Sequence, residues 1–139
     1  MVLRSAARAL CTRAAAGKKA LITGFTAPPG GQGPGGLTKE KLLAILAQQN
    51  EELARNGVSP TTVLFERTLS NDEIAAKVAE ALTSIEYDVV SIGAGVRTFP
   101  EHMLLFEKLV NVVHKHAPAA RIAFDTGPGD KVESILRNL

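Results

Sequence analysis

Four short apolar runs alternate along this chain with longer segments of helical period, and that alternation limits the fold more than any other feature. The runs are residues 20–23 (ALIT), 61–66 (TTVLFE), 88–92 (DVVSI) and 121–125 (RIAFD). They are short, rich in β-branched residues and closed by Gly, Asp or Glu, as expected of strands buried on both faces. Between and after them the apolar residues recur every three or four positions. The resulting βαβαβαβα order predicts a parallel sheet with helices packed on both faces.

Helix signals fall where that order needs them. Thr38 is placed as the N-cap of a helix reaching about Arg55, with Leu42, Ile45, Leu46 and Leu53 on one stripe and Asn56-Gly57 as its stop. Ser70-Asn-Asp-Glu73 spells a capping box ahead of Ile74, Val78, Leu82 and Ile85. A third helix is expected over 99–116, with Thr98 as N-cap and Glu101 three positions on. Its Met103, Leu104, Leu105, Phe106, Leu109, Val110, Val112 and Val113 wrap beyond one face. The excess implies cover by a second copy or a partner subunit, with Phe106 and Val110 in the docking face. A short last helix carries Val132, Ile135 and Leu136 inward. Right-handed crossovers then predict a small doubly wound α/β domain, a flavodoxin- or Rossmann-like three-layer sandwich with strand order 2-1-3-4.

A chain of 139 residues suffices for one such domain. Aromatics make up 4% with no Trp, which leaves no stacking platform for single-stranded nucleic acid. No apolar run approaches the roughly 20 residues that span a bilayer. The single cysteine, Cys11, excludes an internal disulfide and a cysteine-rich metal site. The net charge of +2 is set at the front: no acidic residue precedes Glu40, and Arg4, Arg8 and Arg13 punctuate an Ala-rich segment. Residues 1–17 therefore read as a mitochondrial transit peptide, placing the protein in the matrix; an N-terminal extension of a cytoplasmic protein is the alternative. Without those three arginines, 13 of the 16 basic residues remain against 14 acidic ones. A near-neutral domain over 18–139 argues against nucleic acid as partner.

In a doubly wound sheet, ligands bind beyond the carboxyl ends of the strands where the winding reverses, here between strands one and three. The two loops at that point, 24–36 and 93–98, are the most glycine-rich places in the domain. Gly24, Thr26, Gly93, Gly95 and Thr98 become candidate ligand-binding residues, with Arg97 as a fork of donors for a carboxylate or phosphate. A surface pairing of Arg97 with Glu101 is the competing assignment. His102, expected beside Arg97 at a helix start that favours a neutral imidazole, is the candidate acid or base. Glu66 ends strand two where a ribose-binding acid would sit, and Thr126 opens a second tight βα turn. Gly31-Gln-Gly33-Pro-Gly-Gly36 matches the dinucleotide pattern by letter, but Pro28 and Pro29 separate it from the strand, so a lid suits the loop better. His114 and His116 diverge on a helix, and no metal is expected. There is no G-x-S-x-G elbow, and Ser91 lies inside a strand rather than at its end.

Two resemblances attach to these residues. KKALITGF (18–25) followed by a Pro/Gly loop is similar to the opening of pyroglutamyl peptidases. That family's cysteine nucleophile has no counterpart in 18–139, so no activity is implied. DVVSIGAGVRTFPEH (88–102), LFEKLVNVVHKHAP (105–118) and ARIAFDTGP (120–128) resemble a family of small uncharacterised α/β proteins found mainly in bacteria. The second resemblance implies the same fold, and Gly93, Gly95, Arg97, Glu101 and His102 acting as a unit, without a reaction. The expectation is a crevice for a small anionic metabolite, with a nucleotide or other phosphate-bearing ligand compatible. The alternative is a non-catalytic Rossmann-like interaction subunit of a mitochondrial assembly, docking through the helix over 99–116.

Overall fold

The computed structural model describes residues 17–28 and 36–139, so the leader assignment and most of the glycine-rich loop lie outside the described residues. Four parallel strands form one sheet in the order β2-β1-β3-β4. They are β1 (Lys18–Phe25), β2 (Val58–Phe65), β3 (Val89–Ile92) and β4 (Arg121–Ala123). Among the described residues five helices connect and close them: α1 (Lys39–Arg55), α2 (Asn71–Ser84), the single turn α3 (Ala94–Arg97), α4 (Met103–His116) and α5 (Lys131–Leu136). The α/β class, the parallel pairing and the expected strand order are all observed.

Side chains alternate across the sheet, and each strand therefore feeds two cores. Leu21, Val90 and Ile92 meet Ile74 and Val78 of α2 and Leu105 and Leu109 of α4 on one face. Ala20, Ile22, Val89 and Ala123 meet Leu46 and Leu53 of α1 and Val132 and Ile135 of α5 on the other. Full burial of one such Leu, Ile or Val stabilises by about 1.5–3 kcal/mol relative to exposure. A contact between Lys108 of α4 and Asp72 of α2 fastens the outer rim of the first layer.

The N-caps of α1 and α2 form at Thr38 and Ser70, the latter as the Ser70 half of the expected capping box. Thr38 Oγ1 accepts from the Lys41 amide at 3.2 Å, and Ser70 Oγ accepts from the Glu73 amide at 3.1 Å. Gly57 ends α1 with φ of 79°, a left-handed conformation that glycine adopts without strain.

The expected start of the third helix is corrected. Residues 94–97 already form the turn α3, and Thr98 ends that turn instead of opening the next. Its hydroxyl donates to the Ala94 carbonyl at 2.7 Å. A 3-10 turn over Pro100–His102 follows, so α4 begins at Met103 without a side-chain cap, and Glu101 caps nothing there. The physical reason is Pro100, whose fixed φ suits the first position of a new turn and breaks continuity with α3.

The excess apolar surface of α4 is also smaller than expected. Phe106, Val110 and Val112 are half-buried against the first core, which α2 helps to cover. The exposed members are Met103, at 55%, and Leu104, at 70%.

Candidate functional site

A cavity of about 270 Å³ opens beyond the carboxyl ends of β1 and β3, at the reversal of winding. Its floor is residues 22–27 and the Gly93–Gly95 turn. Leu42, Ile45 and Leu46 of α1 overhang it, and Leu37, Leu64 and Phe99 extend the apolar wall. The overhang follows from the α1 stripe. Leu46 and Leu53 pack on the sheet, whereas Leu42, a turn nearer the N-terminus than Leu46, and Ile45, beside Leu46 in the chain, remain half-buried.

The floor is drawn tight by contacts between β1 and β3. Thr23 Oγ1 donates to the Ser91 carbonyl at 2.8 Å, and the Gly93 amide donates to the Thr23 carbonyl at 2.9 Å. A Cβ on Gly93 would stand 3.1 Å from that carbonyl oxygen and 3.5 Å from Gly24 Cα. A side chain there would crowd the Thr23 carbonyl, so glycine suits the close approach of the two strand ends. The Gly93 amide is engaged within the protein and does not face a ligand.

At the β4 end of the cavity lies a buried ion cluster. Asp125, with its side chain 1% exposed, receives Lys131 Nζ on Oδ2 at 2.7 Å and Arg97 Nη2 on Oδ1 at 3.3 Å. Arg97 also donates from Nε to the Ile92 carbonyl at 2.9 Å and from Nη2 to the Asp125 carbonyl, and it stacks 5.0 Å from the Phe124 ring centre. Both Asp125 and Lys131 line the cavity. The two cations come from different βα connections, so Asp125 ties the end of β3 to α5 across β4. Breaking such a buried pair by removing one partner strands the remaining charge.

Gly24, Thr26, Gly93, Gly95 and Thr98 do converge on the cavity. Arg97, expected to present its fork to a ligand, is instead turned onto the Ile92 carbonyl and Asp125, and it pairs with Asp125 rather than Glu101. His102 lies beside Arg67, not Arg97. Its Nε2 is 3.5 Å from Arg67 Nη1, and its ring is tilted 4.7 Å from Phe25, over which Arg67 also stacks. Neither Arg97 nor His102 is among the cavity-lining residues.

Glu66 is exposed beyond β2, and Thr126 is exposed with its amide and hydroxyl both given to Asp130, so neither joins the cavity. Burial raises the Asp130 pKa, but the bonds from the Thr126 hydroxyl and the Thr126 and Gly127 amides outweigh it and hold the carboxyl below its ordinary value. Ser91 is fully buried within β3.

Lys131 and Arg67, which sequence reasoning passed over, supply cationic groups to the lining. A signal for Lys131 existed: it precedes Ile135 by four positions and shares the inward stripe of α5, where a lysine needs a buried partner. Arg67 had no such signal, because its place over Phe25 depends on the exit of β2 beside β1.

No helix among the described residues is long and apolar enough to cross a membrane. Compared with models of known protein families and with curated proteins, the chain matches none.

Proposed function

We propose that this protein binds a small anionic ligand in the crevice beyond β1 and β3. The observation that carries the reading is the cluster at its end. Lys131 and Arg97 against Asp125 leave one positive charge in excess, held inside the protein at the wall of a cavity. A buried uncompensated cation is costly, and an anion at the cavity wall would compensate it. Arg97 holds the cluster in place, and Lys131 is the group that meets the ligand.

Thermal unfolding of the 139-residue chain against a panel of carboxylates, phosphosugars, nucleotides and acyl-CoAs tests this. A ligand at a hundred times its dissociation constant adds roughly 2.7 kcal/mol of stability. Lys131→Met, checked for an unchanged far-UV spectrum, is expected to weaken a hit at least tenfold. A panel without a single stabilising anion would sink the reading.

A second reading rests on the exposure of Met103 and Leu104, adjacent at the start of α4. Two neighbouring apolar side chains at a helix start suit a contact with a second copy or a partner subunit.

A further inference from the structure

The cavity and its ion cluster also constrain what kind of anion fits, and this step rests on the anion-binding reading above. Lys131 carries three N–H donors. One goes to Asp125 Oδ2, and among the described residues no other partner holds the ammonium. Two donors on a side chain that is only 9% exposed are thus available at the cavity wall. The excess charge beside them is one. A monoanion balances it, whereas a second negative charge would have to be met by Arg67, the other cation of the lining, which lies over Phe25.

Most of the remaining cavity wall is of opposite character. Leu42, Ile45 and Leu46 form its roof and Leu64 and Phe99 part of its side, a largely apolar wall in which Gln49, Thr23, Thr26 and Thr98 are the uncharged polar side chains. The volume lies just below the roughly 300–1,000 Å³ of pockets that hold drug-sized ligands. A dinucleotide is too large for it, and a bare inorganic anion would leave the apolar wall wet. Arg67 at the mouth adds a positive field that draws in anions.

We infer that the ligand is a monocarboxylate with a compact apolar body, its carboxylate on Lys131 Nζ and its hydrocarbon part under α1. The probes are the straight-chain acids from acetate to decanoate, titrated calorimetrically into the full chain. Inorganic phosphate and adenosine monophosphate serve as contrasts.

Affinity should rise about fourfold with each methylene buried, then level off when the chain outgrows the cavity. Ile45→Trp, at a half-buried position, fills the roof and should move the levelling point to shorter acids. Lys131→Met should weaken every acid by a similar factor. If that variant does not fold, the Ile45→Trp series decides alone.

Tighter binding of phosphate or adenosine monophosphate than of any carboxylate, lost with Lys131→Met, would overturn the carboxylate assignment and leave the anion site standing. A length dependence identical in the Ile45→Trp variant would place the acids elsewhere and overturn it as well. No binding by any anion would sink both readings.

Discussion

Asp125 receives two cations that reach it from different parts of the chain, and its side chain is almost wholly removed from water. A carboxylate so placed is costly alone and tolerable only because Arg97 and Lys131 fill its acceptor sites. Removing it would leave both cations facing each other without compensation. Asp125→Ala should therefore destabilise the fold by about 3–5 kcal/mol. Urea unfolding should show a lower midpoint at an unchanged slope; a loss below 1 kcal/mol would mean that solvent reaches the cluster. The residues of this cluster were unequally legible. Asp125 stood out at a strand end, and Arg97 after a glycine turn, but nothing local told which way the guanidinium would point. The Arg97–Asp125 bond spans 28 positions, and only the pairing of β3 with β4 brings its ends together.

The elements follow local chemistry closely wherever the backbone can be capped from within a few residues. α1 and α2 begin at the Thr38 and Ser70 caps that their sequences present. The start of α4 departs from expectation because Pro100 favours a fresh turn over an extension of α3. The turn before α5 is organised the same way by Asp130, which takes the Thr126 hydroxyl at 2.9 Å and the Gly127 amide at 3.2 Å.

The depressed pKa of Asp130 gives this element a pH signature. Its folded-state value lies below the ordinary 3.8, so its contribution is fully present above that value. It is lost as pH falls through the lower, folded value. In Asp130→Asn this part of the acid-induced loss should be missing, and the urea midpoint should fall less steeply below pH 3.8 than in the parent. Parallel acid limbs would show that the turn forms no better with the carboxylate than without it.

For the whole molecule, the two helical layers complete a sheet whose middle strands are sealed, while Met103 and Leu104 remain outside both cores. Sedimentation of the full chain at micromolar concentration should show self-association, and Leu104→Glu should abolish it without altering the melting temperature. A monomer in both would remove self-association and leave only a partner subunit for this surface. The cavity belongs to the same scale, because its walls come from β1, β2, α1, α3, α5 and the connections between them.

The order of apolar runs and helical stripes by itself determined the class, the parallel pairing and the 2-1-3-4 arrangement. Burial on both faces and right-handed crossovers leave few other ways to fold such a pattern. The position of the crevice followed from the same topology, and Gly24, Gly93 and Gly95 marked it. Tertiary structure alone decided which charges line it: Arg97 faces inward to Asp125, His102 rests on Phe25 beside Arg67, and Lys131 borders the cavity. A short cap is satisfied by neighbours in the chain, but the direction of a long charged side chain is set by partners that only the assembled sheet supplies.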